Sequence, residues 1–443
     1  MLGYEKAQTS LNREQKETIR LLSIGTFLEY FDLMIYVHMA VLLNELLFPK
    51  ADTQTAAIYS AAAFCSTFVF RTFVALLFGW IGDKYGRKST VIITTLFMAC
   101  FCAFMAGLPT YVQIGVTATW IVTICRIIQG MSSLCEIIGA ELYLTETINP
   151  PKQYPVVSLM FSCAVLGGVA ALGLESIIVH YGFSWRITFF IGTFIAITGS
   201  YARTHLRETR DFIDAKQQVK NIFNKASINI KILENNPIWK EKVHWKTSLY
   251  YFLIHCTWPV TFYITYIYCS NILKSSFNYT SEEIITHNFI VSLMQFFGSL
   301  IFRAYLSGII NPLKILKGFL AIFSLFILIF PYLLNNLHTP RELLIIQSIM
   351  VIIGLGDAPA VPIFFKHFPI FKRFTYSSFL YALSRALIYV VTSFGIIYLV
   401  SYFGHWGILV ISIPLSISYG FGIQHFEKLE KNRENYLKKK QLA

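Results

Sequence analysis

The sequence predicts an all-α membrane protein: twelve transmembrane helices in two six-helix bundles, with both termini cytoplasmic. Three observations predict it: an apolar composition, the placement of the basic residues, and one long hydrophilic connection in mid-chain. Of the 443 residues, 55% are hydrophobic and 14% charged, where a soluble domain carries about 25% charged residues. The mean hydropathy is +0.56. Apolar runs of roughly 18 residues or more read as membrane-crossing helices. Twelve occur, at 19–43, 56–81, 89–108, 114–140, 156–180, 186–202, 247–272, 284–306, 313–334, 342–365, 375–402 and 406–424. The first is too long for a cleaved signal peptide and lacks a small-residue cleavage site.

Lys and Arg are retained on the cytoplasmic side of a membrane. With both termini inside, only Lys50, Lys274 and Arg341 of the 37 basic residues fall in the opposite loops. Arg71, Arg126, Arg186 and Arg385 are among those that lie within or at the edge of runs, and most of the rest are cytoplasmic. This asymmetry accounts for the net charge of +13 without a nucleic-acid partner, because anionic lipid headgroups attract basic residues beside the membrane. The long connection, 203–246, divides the chain into a cytoplasmic segment 1–18, a bundle 19–202, the loop itself, a second bundle 247–424 and a charged, helical cytoplasmic tail 425–443. Two sets of six about a long loop are the layout of a transporter built from related repeats. The eight cysteines all fall in runs, with no CxxC pair or zinc spacing, so they read as packing residues and no cofactor or metal is expected.

The first run poses the functional question, because "GTFLEYFDLMIY" places Glu29 and Asp32 among apolar residues. Glu29 lies about 15 Å along the run from Ile19 at 1.5 Å per residue, near the middle of a hydrocarbon core about 30 Å thick. Asp32, three residues on, shares its face. A lone carboxylate at that depth costs about 2.5–3.5 kcal/mol, so each acid is expected to be protonated, paired or in an aqueous cavity. Arg126, near the middle of the fourth run, is the natural partner. A carboxylate stays charged beside an arginine and takes a proton more readily when that partner moves away. Such an acid can couple proton flow to conformation, although a static ion pair fixing two helices would use the same residues.

Along the chain, Arg71 stands about two turns before "GWIGDKYGRKST", where Gly79 and Gly82 share a face and Asp83, Gly86, Arg87 and Lys88 crowd a short turn. Such a turn can latch neighbouring helix ends through ion pairs and helix-dipole contacts. Arg71 is expected either to neutralise Glu136 or Glu146 or to meet an anionic substrate group. Glu136, toward the inner end of the fourth run, suits a gating ion pair. The seventh run is rich in aromatics, Trp258, Tyr263 and Tyr266 among them, and is read mainly as packing. His255 and His287 are read as core or rim histidines. In the tenth run Gly354, Gly356, Pro359 and Pro362 surround Asp357 and predict a broken helix. Arg385 in the eleventh run is expected to pair with Asp357 or to bind a substrate carboxylate.

These motifs resemble those of the major facilitator superfamily, and in particular its metabolite:proton symporter branch of proline/betaine, citrate, dicarboxylate and shikimate carriers. The resemblance lies in "GxxxDxxGRK" between the second and third runs, "LEYFDLMIY" in the first, and Arg71 ahead of the glycine turn. It extends to "RIIQGMSSLCEIIGA", with Arg126, Gln129 and Glu136, to Glu146, and to "WRITFF" and "LRETRDF". It is dense over 25–212 and weaker later, where "SLIFRAYLSGIINPLKI" has lost the acid expected in a repeat of the turn. It implies the major facilitator fold and a secondary active transporter, not an enzyme. The expected activity is proton-coupled uptake of a small polar metabolite, foremost a compatible solute such as proline or glycine betaine. A small carboxylate is the alternative; a non-transporting sensor and an integral membrane enzyme rank lower. Glu29, Asp32, Arg126, Gln129, Arg71 and Arg385 would serve protons and substrate, and Gly79, Gly82, Asp83, Gly86, Arg87, Lys88, Glu136 and Glu146 the cytoplasmic gate. Substrate, proton and lipid are the expected partners of a monomeric unit in a bacterial cytoplasmic (inner) membrane.

Asp32→Asn is expected to lose gradient-driven accumulation of substrate in membrane vesicles; normal accumulation would remove Asp32 from proton coupling.

Overall fold

The computed structural model describes residues 8–47, 87–204 and 241–442, together with 65, 68–73, 75–78, 80, 81 and 83. Gly79, Gly82 and Gly86 lie outside the described residues, as do the side chains of Glu29, Asp32, Arg87, Lys88, Arg126, Gln129 and Glu136, for which only the helical backbone is given. Among the described residues there is no β-strand; a single bridge joins Gln8 to Pro151.

Among the described residues, helices occupy most of the length of the apolar runs. Before the central loop they are Arg13–Leu47, Arg87–Ala106, Val116–Thr147, Gln153–His180 and Arg186–Thr204, with helical residues within 65–83. After it, residues 245–277 form one rod whose middle, Tyr263–Tyr268, is π-helical. Ser281–Gly298 continues into a second π-helical stretch, Ser299–Tyr305. Pro312–Asn335, Pro340–Ile353, Ile370–Phe403 and Gly407–Leu442 complete the order. The last helix runs unbroken through the charged tail. By length and composition, Gln153–Ile178, Ser281–Gly308, Pro312–Asn335 and Ile370–Asn435 can cross a membrane, the last of these turning at Gly404.

Without a hydrophobic drive between helices in lipid, close association depends on small residues at the contact. Gly167 supplies this where Gln153–His180 meets Arg13–Leu47: a Cβ there would stand 2.2 Å from the Phe27 carbonyl oxygen. The same helix also faces the C-terminal set. Ser162 and Ser299 hydroxyls are 2.9 Å apart, Ser176 and Thr286 3.2 Å, and His180 Nδ1 lies 2.8 Å from Glu282 Oε1.

The tenth run breaks where its glycines and prolines predict. Pro340–Ile353 stops at Gly354, and helix resumes only over Val361–Lys366. Carbonyls freed inside a membrane need internal donors, and here they have them. Arg303 donates to Gly354 O (2.6 Å) and Ala358 O (3.2 Å), Thr257 Oγ1 to Leu355 O (3.3 Å), and Tyr419 Oη to Gly356 O (2.6 Å). At Gly356 a Cβ would lie 2.9 Å from Arg303 Nη1, so a side chain there would push against the guanidinium that holds the break. Arg303 belongs to the stretch that lost the acid of a repeated turn, and in its buried position it serves the break instead.

Gly167→Ala should lower stability by about 1–3 kcal/mol through overpacking, read as a lower thermal midpoint in detergent. Gly168→Ala, whose Cβ would meet only Met34 Cγ at 3.4 Å, should leave the midpoint nearly unmoved.

Candidate functional site

The break turns Asp357 toward the N-terminal helices. There it lines a pocket with Thr26, Tyr30, Ile137, Glu141, Phe161, Trp258, Tyr381 and Arg385 among its walls. The pocket is therefore built from both sets of helices. Thr26 and Tyr30 come from Arg13–Leu47, Glu141 from Val116–Thr147 and Phe161 from Gln153–His180. The second set supplies Trp258, the broken segment, and Ile370–Phe403.

The charges are arranged as follows. His255, 3% exposed, places Nδ1 3.6 Å from Asp357 Oδ2. Its ring packs on Tyr251 (4.3 Å between centroids) and Tyr381 (5.1 Å). The Arg385 guanidinium lies 3.3 Å over the Tyr381 ring, and its Nη1 is buried without a hydrogen-bond partner. Glu141, 5% exposed, likewise has an unpartnered Oε2; the charges acting on it are those of Asp357 and Arg385. Phe161 and Trp258 meet edge to face at 6.3 Å, with the Arg303 guanidinium 5.5 Å from the first ring and 6.0 Å from the second. Two acids, a guanidinium and aromatic faces thus share one enclosed space.

The expected pairing of Arg385 with Asp357 is corrected. Both line the pocket, but the ionisable partner within 4 Å of Asp357 is His255, while Arg385 stacks on Tyr381. Arg71 is buried against Phe68, 4.5 Å from its ring centroid, and Glu146 is met by Arg373. Glu141 was missed in the sequence because it falls just beyond the fourth run as drawn, 114–140, and the motif residues Glu136 and Glu146 on either side drew the reading. His255 carried no motif, and its value rests wholly on Asp357 being folded back toward it. Glu175, fully buried with both carboxylate oxygens unpartnered, lies outside the pocket lining.

A second group of contacts ties the two sets together at the end carrying both chain termini, where Gln8 N–H donates to Pro150 O (2.9 Å) and Glu430 meets His367 (2.8 Å). Asp83 accepts from the Phe374 N–H (3.3 Å), the Thr375 N–H (2.9 Å) and Thr375 Oγ1 (2.7 Å), in the first turns of Ile370–Phe403. Arg373 Nη1 donates to Glu146 Oε1 (3.2 Å), and Lys366 Nζ to Gln153 Oε1 (2.7 Å). Asp83 and Glu146, both expected in a gate, are brought here together. A carboxylate receiving donors near a helix start is favoured by both charge and dipole.

Comparison with known proteins places this geometry in context. The model of the Major Facilitator Superfamily matches residues 22–369. The proline/betaine transporter of Salmonella typhimurium is 27% identical over 280 residues, covering 60% of this chain and 55% of that protein. The inner membrane metabolite transport protein YhjE of Escherichia coli is 33% identical over 230 residues, 49% of this chain and 52% of that one. The matches span about half the length of these relatives. Among solved structures, the proton:xylose symporter XylE bound to 6-bromo-6-deoxy-D-glucose superposes with a TM-score of 0.73 at 12% identity, covering 94% of this chain and 95% of that one.

Asp83→Ala should speed hydrogen exchange at the Phe374 and Thr375 amides by about tenfold or more, since a hydrogen bond to a charged group contributes roughly 1.5–3 kcal/mol. Mass spectrometry of a peptide spanning 370–377 reads this directly.

Proposed function

The chain belongs to the major facilitator superfamily, and on that premise we propose that it imports a small zwitterionic solute, of the proline or glycine betaine kind, together with a proton. The observation that carries this reading is the pocket shared by the two sets of helices, with Arg385 against Glu141 and Asp357 and with aromatic faces between. A zwitterion needs both ends recognised. The unpartnered Nη1 of Arg385 is placed to receive a carboxylate. Trp258, Tyr30 and Phe161 offer ring faces that attract a quaternary or secondary ammonium. A purely anionic substrate would face two acids with Arg385 as the one cation among the described lining residues, Arg303 having its donors engaged by backbone carbonyls, so the small-carboxylate alternative ranks second. The name of the Salmonella relative supports the same class of solute.

Transport in this reading is alternating access. The helices form two six-helix bundles joined by the 203–246 loop, twelve crossings in a bacterial inner membrane, and they rock about the pocket. The sequence places most of the basic residues in the segments assigned to the cytoplasmic side, the side on which positive charge is retained. The Asp83, Glu146 and Lys366 contacts then act as the cytoplasmic latch, closed in this structure and broken when the pocket opens inward. Glu29, Asp32, Arg126 and Gln129 remain proposed contributors from the first and fourth runs, as do Gly79, Gly82, Gly86, Arg87, Lys88 and Glu136 at the gate.

The test is uptake of labelled proline and betaine into proteoliposomes with and without an inward proton gradient. Gradient-driven accumulation is the expected result. No uptake of either by folded protein would discard the zwitterion reading and turn the search to small carboxylates. Arg385→Ala should abolish uptake, and Arg385→Lys, which keeps the charge but loses the planar fork, should weaken apparent affinity by about ten- to a hundredfold.

A further inference from the structure

We propose that Glu141 is the carboxyl that carries the coupled proton, with the Asp357–His255 pair across the pocket as the group that governs its release. The inference deepens the proposed function and rests on it for the meaning of coupling. Its basis is placement. Glu141 stands on a helix of the first set and Asp357 on the broken segment of the second, so rocking of the two sets changes the separation of these two acids. Two carboxylates brought together away from water repel, and a proton on one of them relieves the repulsion.

The two acids are not equivalent. Asp357 has His255 Nδ1 at 3.6 Å, whereas Glu141 Oε2 has no donor. A buried carboxylate oxygen without a donor is costly, while the protonated acid becomes a donor itself and keeps acceptor capacity. The charged and titratable groups gathered about Glu141 are Asp357, Arg385, His255, Tyr251, Tyr381 and, from the first helix, Tyr30; Arg303, behind Phe161 and Trp258, also acts on Asp357 but has its donors engaged by the Gly354 and Ala358 carbonyls. Among the described lining residues Arg385 is the only cation. When the carboxylate of the solute occupies Arg385, the positive charge that balanced Glu141 and Asp357 is shared with a third anion. A proton from water on the open side, bound at Glu141 Oε2, restores the balance, and closure becomes permissible. Opening to the other side lets solute and proton leave to water. Substrate and proton are thereby linked through one guanidinium.

Infrared pH-difference spectroscopy on the purified protein reads carboxyl protonation without substrate. Because Glu175 is also a buried, unpartnered carboxyl, the comparison is made in a Glu175→Gln background: the carbonyl band of a protonated carboxyl should be present there, lost when Glu141→Gln is added and retained when Glu282→Gln is added. In proteoliposomes, Glu141→Gln should lose gradient-driven accumulation by at least about tenfold while still exchanging labelled for unlabelled solute, as expected when an intramembrane acid serves a proton relay. A band that survives in Glu141→Gln overturns the assignment, and so does undiminished accumulation. Loss of exchange along with accumulation also overturns it, because that marks a solute contact. Glu141→Asp is the second variant should Glu141→Gln not fold; it keeps the acid and should displace the band, and an unmoved band again refutes the proposal. If the unaltered protein exchanges neither proline nor betaine, the solute class fails while the infrared result still decides Glu141.

Discussion

A helix cannot simply stop inside a membrane, because its released carbonyls have no water to turn to. The site depends on how this chain meets that constraint. Arg303, Thr257 and Tyr419, from three separate helices, supply donors to the carbonyls of residues 354, 355, 356 and 358. With those donors in place the chain can leave the helical path at Gly354, swing Asp357 into the pocket and resume at Val361. The pairing of Asp357 with His255, the stacking of Arg385 on Tyr381 and the approach of Glu141 are consequences of that excursion. Arg303 is therefore a residue of the site even though its hydrogen bonds go to backbone.

The rest of the architecture offers two kinds of contact between the sets of helices. Along Gln153–His180 the polar contacts are hydroxyl pairs and the solvent-exposed His180–Glu282 pair, whose groups can exchange partners with water at small cost. At the end carrying the termini the contacts are buried and charged, with Asp83 on the first turns of Ile370–Phe403 and Glu146 on Arg373. Breaking a buried charged contact leaves a group that must find water or a new partner. An interface that is loose along its length and firm at one end suits a molecule that pivots. The pocket lies between these contacts, where a small change in angle alters the distance between groups on the two sides.

Much of this was legible in the sequence, and the particular residues say why. Asp83 and Glu146 were expected in a gate from a short charged turn and a family-like motif, and both are found in contact with the first turns of Ile370–Phe403. The break in the tenth run was readable because Gly354, Gly356, Pro359 and Pro362 act locally, through backbone freedom and the missing proline N–H. Glu141 was not readable. Its neighbours at 136 and 146 have the same chemistry, and which acid of a helix meets a distant partner is not a local property. His255 was set aside for the same reason, since nothing near it in the chain is acidic.

The sequence by itself determined the quantities that are sums over local residues. These are the apolar runs, the side of the membrane their flanking charges favour, the site of the helix break, and membership in a family that carries its motif on short turns. The tertiary structure decided which polar groups meet, because such a contact is set by the packing angle of helices far apart in the chain. It moved Asp357 from Arg385 to His255, assigned Arg303 to backbone carbonyls, and placed Glu141 on the pocket wall. Buried charge is expensive wherever it falls, so the sequence announces that partners must exist; only the fold says which ones they are.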